Sequence, residues 1–168
     1  MSLASSAIRP LNPPAMNTVT LNTKGLQAFK RKLKGAEVAR VQVGIFSDHD
    51  ARRETVLTNA EIGAKHEAGV IEEGIPRRSF LEVPARTELP KVVEGESATL
   101  IKAFIEDGAK AMLERVGFLG EAVVQDAFNT GGFGEWPPNT DYTLARKQGD
   151  KPLIDTKQLR ESISSRVV

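Results

Sequence analysis

The stretch ARVQVGIF, residues 39–46, predicts a β-strand in a chain whose other periodic segments predict helices. Its valines and isoleucine recur at every second position, the period of a strand with one buried face. The segment TVTLNT, residues 18–23, alternates in the same way, and RVV at 166–168 is a candidate for one more strand. These short segments predict a small mixed or antiparallel sheet.

The segment TKGLQAFKRKLKG, residues 23–35, has helical spacing. Leu26, Phe29 and Leu33 share one face, and basic side chains occupy the rest of the surface. Gly35 is predicted to end the helix. The pattern is typical of an amphipathic helix with a solvated basic face.

The longest helical pattern runs from about residue 88 to residue 128. Its apolar stripe repeats at steps of three, four and seven residues, with two phenylalanines beside it. The stripe consists of Ile101, Ile105, Met112, Val116, Leu119 and Val123. Three glycines are predicted points of kinking or division, since glycine disfavours a helix interior. They are Gly108, Gly117 and Gly120.

A short helix is predicted over about residues 58–68, ended by Gly69 in a left-handed turn. The following stretch, VIEEGIPRRSFLEVPA at 70–85, is interrupted by Pro84 and other helix breakers. It is expected to be a loop and an extended segment that anchors Phe80 in the core.

The final segment, PLIDTKQLRESISSRVV at 152–168, predicts another helix. Asp155 or Thr156 is the expected N-cap, because both side chains accept hydrogen bonds from the first free N–H groups. Leu159 and Ile163 would face inward.

The predicted fold class is α+β: a small sheet packed against one long helix and two or three short helices, with long loops. Residues 1–17, which contain three prolines, are expected to form a disordered arm without the features of a signal peptide. Residues 18–168 would form a single domain. The Gly/Pro-rich stretch 129–143, which holds Trp136, is a long predicted loop.

Composition excludes several classes of function. The 168 residues are 40% hydrophobic, and 23 basic against 22 acidic residues leave a net charge of +1, so no global field favours DNA or an anionic membrane. The chain has no cysteine, which removes disulfides and thiolate chemistry. No apolar run reaches the roughly 18 residues of a membrane span. We expect no cofactor and no membrane association.

The stretch EIGAKHEAGV, residues 61–70, raises the question of a metal or catalytic site, because it places His66 between glutamates. No second histidine lies at helical spacing, and a catalytic zinc ion takes about three protein ligands. A composite site would need His49, Asp48 and Asp50 from the preceding loop. That site would define a small metal-dependent hydrolase or nuclease, the alternative to a packing role for His66. In the packing interpretation, His66 and Glu67 are expected to hold the turn after the helix by hydrogen bonds. The expectation is no catalytic residue and no metal ligand.

A nucleic-acid contact is a further alternative, carried by the basic residues Lys30, Arg31, Lys32 and Lys34. The neighbouring Phe29 lies at an apolar helical position. Without interleaved exposed aromatic residues the segment lacks a stacking platform for single strands. No sequence-specific nucleic-acid binding is expected.

The order of several motifs along the chain resembles a known family. VQVGIF is followed by AEIGAKHEAG, by IPRRSFL and a long helix, by a loop GEWPPNTDYTLARK, and by PLIDTKQLRESI. Over residues 39–168 this order resembles the tail-completion and head–tail joining (neck) proteins of long-tailed bacteriophages, which include minor tail protein Z-like and virion-morphogenesis proteins, many of them encoded in prophages.

The resemblance implies a structural protein of the virion neck or tail, present in the bacterial host cytoplasm during assembly, and not an enzyme. Its partners would be the tail tube, the head–tail connector and further copies in a ring, with a monomer in solution compatible with this role. Matching residues fall in each motif. They are Ile62, Gly63, His66, Glu67, Gly69, Pro76, Arg78, Phe80, Leu81, Trp136, Leu153, Asp155, Thr156 and Leu159.

Overall fold

The computed structural model describes residues 23–50, 56–147 and 149–168. The predicted N-terminal arm and the predicted strand at 18–23 lie outside these ranges, except for Thr23. Within them the protein is a mixture of helices and a two-stranded sheet, as the α+β prediction required.

The described elements follow one another with short connections. They are α1 (Lys24–Val38), β1 (Val41–Ile45), a 3₁₀ turn (Ser47–His49), α2 (Asn59–Ala68), a second 3₁₀ turn (Ile71–Glu73), α3 (Glu82–Thr87), α4 (Leu89–Gly95), α5 (Ser97–Asp107), α6 (Ala109–Thr130), α7 (Asp141–Leu144), α8 (Gln158–Glu161) and β2 (Ile163–Val167). The predicted strand at 39–46 and the predicted helix at 58–68 are confirmed. Helix α1 continues beyond Gly35 to Val38, so the predicted stop was three residues early.

The sheet pairs β1 and β2 in antiparallel register, from Val41 opposite Val167 to Ile45 opposite Ile163. Arg40 and Val168 extend the ladder with a reciprocal pair of 2.8 Å backbone hydrogen bonds. The candidate strand at RVV is therefore confirmed. Ile163 is buried as predicted, but it begins a strand instead of continuing a helix.

Helix α8 differs most from its prediction. It has only four residues, and Lys157 occupies its N-cap position in the left-handed conformation (φ 64°) with no side-chain capping bond. The predicted N-cap role of Asp155 and Thr156 was therefore wrong. Strand pairing with β1 takes the chain out of the helix just after Ser162, so the segment is too short for the helical spacing that the sequence suggested.

The long helical pattern predicted from about residue 88 to residue 128 is not continuous: it divides at Glu96, between α4 and α5, and again at Gly108, whose φ of 97° is strained for other residues. The break changes the phase of the pattern, so the predicted stripe was wrong in α5. Ile101 and Ile105 are more than half exposed, and Leu100 and Phe104 are buried in their place. Gly117 and Gly120 do not kink the helix and lie inside the continuous α6.

Helix α6 packs against both strands of the sheet. A Cβ atom at Gly117 would lie 2.5 Å from Ser165 Oγ, and one at Gly120 would lie 2.8 Å from a Val43 methyl group. The two glycines therefore permit both strands to lie against the helix backbone. Beside this contact is the core, formed by Phe80, Val124, Phe128, Leu159 and Ile163.

Candidate functional site

Helix α2 presents the histidine motif and is fixed at its N-terminus by a capping box. The Thr58 hydroxyl accepts from the Glu61 N–H at 3.2 Å, and the Glu61 carboxylate accepts from the Thr58 N–H at 2.8 Å. Asp50 adds a 2.6 Å hydrogen bond from the Ala60 N–H to its carboxylate. Such caps stabilise a helix by about 0.5–2 kcal/mol. Glu61 and Asp50, two of the acids considered as metal ligands, thus have structural partners.

Glu67, at the other end of α2, holds the start of α3. Its carboxylate accepts from the backbone N–H groups of Phe80 (2.9 Å), Leu81 (3.0 Å) and Glu82 (3.0 Å). The Ser79 hydroxyl donates a further hydrogen bond to it. Free N–H groups at a helix start favour a carboxylate, through hydrogen bonding and the helix dipole. The predicted hydrogen-bonding role of Glu67 in this turn is confirmed.

The cap from Glu67 also explains why Pro84 does not interrupt the helix there. Pro84 is the third residue of α3, where a backbone N–H is not needed for an intrahelical bond. The expectation that this proline ends regular structure was therefore wrong. Phe80 is fully buried, as predicted, and Leu81 packs against the core half-buried.

The turn between α2 and the IPRRSFL segment is tight. Gly69 has φ 76°, and a Cβ atom there would lie 2.8 Å from the Arg77 backbone nitrogen. The Arg78 N–H donates to the carbonyl oxygen of His66 at 2.7 Å, which closes the turn. The positive φ predicted for Gly69 is confirmed, and Pro76 lies half-buried in the extended segment.

Arg78 joins this segment to the distant proline loop. Its Nε and Nη2 groups donate to the Pro137 carbonyl oxygen at 3.1 and 2.9 Å, and Nη2 donates to that of Pro138 at 2.8 Å. The residue is only 6% exposed, although it carries a charge. A buried charge is tolerated where hydrogen bonds compensate for lost hydration. The guanidinium is therefore a structural clamp between segments about sixty residues apart.

Trp136 completes the connection from the same loop. Its indole N–H donates to the Ser79 carbonyl oxygen at 3.1 Å. Its ring packs edge-on against Phe128, with centroids 5.8 Å apart, and Phe128 in turn lies 5.2 Å from Phe80. We call the set Glu67, Arg78, Ser79, Trp136 and the carbonyl groups of residues 137–138 the polar frame.

The frame and the adjacent core bring most of the sequence motifs together. Ile62, Leu81, Trp136 and Leu153 pack around the buried cluster that contains Phe80 and Leu159. Gly63 is buried, and a Cβ there would lie 3.1–3.4 Å from Ile45, Phe80 and Leu159. Asp155 and Thr156 are exposed and contribute instead to a neighbouring cleft with His66.

His66 is neutral at ordinary pH. Burial, and secondarily the positive charge of Arg78, lower its pKa from 6.5 to about 4. Its Nδ1 atom is buried and has no hydrogen-bond partner among the described residues. The hydrogen bond expected of this side chain is therefore absent at Nδ1, and the residue contributes to the turn through its backbone carbonyl group.

In the ranges that the structure describes, no group of three or more His, Cys, Asp or Glu side chains is placed to hold a metal ion. The carboxylates of Asp50, Glu61 and Glu67 are occupied by backbone N–H groups. These positions fit a structural role for the acids. No described helix is long and apolar enough to cross a membrane.

Helix α1 forms a separate surface at the junction of α5 and α6. Phe29 meets Phe104 edge-on at 5.9 Å, and the Lys32 ammonium donates to the carbonyl oxygens of Ile105 and Glu106 at the end of α5. The apolar face of the helix is only partly covered, since Leu26 and Leu33 are 51% and 43% exposed. The helix is amphipathic as predicted, but its apolar stripe is not buried within this chain.

Sequence reasoning did not identify the partners of Arg78 or the role of Ser79. Backbone carbonyl groups leave no signal in the sequence, so the residues Pro137 and Pro138 did not predict the contact with Arg78. An arginine beside the anchor Phe80, in a segment predicted to be extended and packed, was the available signal.

No protein-family model, curated protein or solved structure matches this sequence.

Proposed function

We propose that this chain is a structural protein of a bacteriophage or prophage neck, which completes the tail or joins it to the head through protein–protein contacts. It acts in the virion, after assembly in the host cytoplasm, and has no catalytic role. The order of motifs along residues 39–168 is the basis of this assignment.

The observation that carries the proposal is the convergence of those motifs. A scaffold for protein–protein contacts needs its segments fixed to one another. Here Glu67 of the histidine motif caps the segment after IPRR, and Arg78 and Ser79 of that segment bind the Trp136 loop. The motifs thus behave as parts of one scaffold, in which Glu67, Ser79 and Trp136 form internal hydrogen bonds.

A second feature supports a role in assembly. The partly exposed apolar stripe of α1 meets the end of α5 through Phe29 and Lys32, and Ile101 and Ile105 of α5 are also more than half exposed. Lysines and arginines flank the stripe on α1. Apolar patches rimmed by charged groups are typical of protein contact surfaces. We assign to this surface contacts with neighbouring copies or with the tail.

Removal of the coding sequence from the phage or prophage that carries it tests the proposal. Electron microscopy of the induced particles should show full heads beside unattached tails, and expression of the wild-type chain in trans should restore complete particles. Complete, infectious particles in the absence of the protein would contradict the assignment. A chain that stays monomeric and fails to bind purified tail ends would contradict the predicted contacts.

A further inference from the structure

A cleft of about 340 Å³ lies beside the polar frame, between α2, Arg78, α7 and the segment before α8. Its volume falls in the range of about 300–1,000 Å³ that is usual for ligand sites. Its charge is unbalanced: four cationic side chains line it against one carboxylate. They are Arg78, Arg146, Lys147 and Lys157, against Asp155.

Arg78 brings a charge that no described carboxylate neutralises. Its Nε and Nη2 groups bind carbonyl oxygens, which are neutral acceptors. Among the residues that the structure describes, no carboxylate forms an ion pair with it, and its Nη1 group has no acceptor. A guanidinium has five N–H donors, so part of this fork remains for a ligand while the rest is held rigidly.

Lys147 is close to the same charge. Burial lowers its pKa, and Arg78 lowers it further, while Asp155 and Asp150 act in the opposite direction. Its ammonium group donates to the Lys151 carbonyl oxygen, again a neutral acceptor. Two partly desolvated cations that repel one another are stabilised by an added anion, because the attraction is stronger away from bulk water.

The rest of the lining is partly apolar. Ile62, Leu153 and Leu159 form an aliphatic wall, and the Arg146 guanidinium lies 4.3 Å from the centre of the Tyr142 ring. Neutral His66 adds no charge. A ligand that matches this lining has an anionic group next to an aliphatic group.

We propose that the cleft binds the carboxylate of an acidic protein segment, with an adjacent aliphatic side chain of that segment against the wall. The carboxylate would pair with the free part of Arg78 and with Lys147. Taking the ligand from a partner protein rests on the proposed function. The cation cluster itself does not depend on it.

Calorimetric titration of the full chain can compare three probes: acetyl-Glu-Leu-Glu-amide, its matched acetyl-Gln-Leu-Gln-amide, and inorganic phosphate. The acidic peptide should bind at least about tenfold more tightly than the amide peptide, because charge-assisted hydrogen bonds are lost in the latter. Phosphate should bind more weakly than the acidic peptide, since it lacks the aliphatic group. Phosphate binding as tight as the acidic peptide would overturn the assignment to a protein segment.

The double variant Lys147→Gln/Lys157→Gln should weaken binding of the acidic peptide by about tenfold or more. Lys91→Gln/Lys110→Gln, which removes equal charge from exposed positions far from the cleft, should leave it unchanged. In wild-type protein the amide NMR signals of Thr143 and Gln158 should shift on titration. Absence of binding, equal loss in both double variants, or shifts elsewhere would overturn the proposal. If the cleft does not bind the acidic peptide, the particle-assembly experiment still tests the proposed function, because it measures the joining of heads and tails and not binding to the cleft.

Discussion

The polar frame and helix α1 are held to the same domain by different kinds of contact. The frame joins three segments with charged side chains bound to backbone groups, among them the 6% exposed Arg78. Among the described residues, helix α1 contacts α6 and meets the end of α5 through Phe29 and Lys32, and its apolar stripe stays near half exposure. A buried polar group is destabilising when it loses its hydrogen-bond partner, whereas a partly exposed apolar stripe can lose a contact at lower cost. The frame therefore fixes shape, and α1 retains surface for other molecules.

The largest effect is expected at Glu67. Glu67→Ala would leave three backbone N–H groups without their acceptor, at a cost of about 3–5 kcal/mol in the free energy of unfolding. Urea denaturation followed by circular dichroism measures this. Glu67→Gln, which keeps one acceptor oxygen, should lose less. Glu72→Gln, at an exposed position of the second 3₁₀ turn, is the control. If Glu67→Ala lowers the free energy of unfolding by less than about 1 kcal/mol, the polar frame does not fix the fold.

Arg78 comes next. Arg78→Lys keeps the charge but loses the simultaneous hydrogen bonds to the Pro137 and Pro138 carbonyl groups. It should lower the free energy of unfolding by about 2–3 kcal/mol. The emission of Trp136, the single tryptophan, should shift to longer wavelength as its loop loosens. Arg77→Lys is the matched control, because Arg77 is half exposed in a surface ion pair with Glu82. Equal behaviour of both variants would show that the fork is unimportant.

His66 gives the frame a dependence on pH. Its folded pKa of about 4 lies below the ordinary 6.5, so the unfolded chain binds the extra proton between these values. Its contribution to stability is complete above pH 6.5 and is lost as pH falls toward 4. From pH 7 to pH 5 the loss should be about 1–2 kcal/mol. His66→Met should show a shallower decline over that interval, and an unchanged decline would contradict the assignment to this residue.

The smallest effect is expected in α1. Phe29→Ala removes a ring that is 43% exposed, and should cost about 1 kcal/mol, against about 3–5 kcal/mol for Phe128→Ala at a fully buried position. Hydrogen exchange should show faster exchange across α1 than across α2 in the wild-type protein. Equal protection of the two helices would mean that the comparison between the frame and α1 is mistaken.

The sequence predicted correctly those features that depend on neighbouring residues. The alternation in β1, the extent of α2 and the burial of Phe80 follow from periods and breakers within a few residues. A hydrogen-bonding role for Glu67 was also accessible, because the residue lies at the end of a predicted helix just before Gly69. Its partners at the start of α3, up to fifteen positions later, were not.

The rest depends on contacts across the chain. The pairing of β2 with β1 ends α8 early and leaves Asp155 and Thr156 on the cleft, which helix capping rules alone cannot anticipate. The Arg78 clamp joins residues 59 and 60 positions apart through backbone oxygens. Gly108, Gly117 and Gly120 were all predicted points of division. Which of them divides the helix depends on packing against the rest of the chain.

Gly117 and Gly120 set a limit on how this sequence can vary. In a scan of single substitutions, even alanine at either position should be destabilising, because its methyl group would overlap the side chain of Ser165 or Val43 and force it to shift. Gly95, with open space around it, should accept alanine freely. Along one chain the same amino acid thus occupies positions with no room for a side chain and positions with ample room, and the distance from helix to strand separates them.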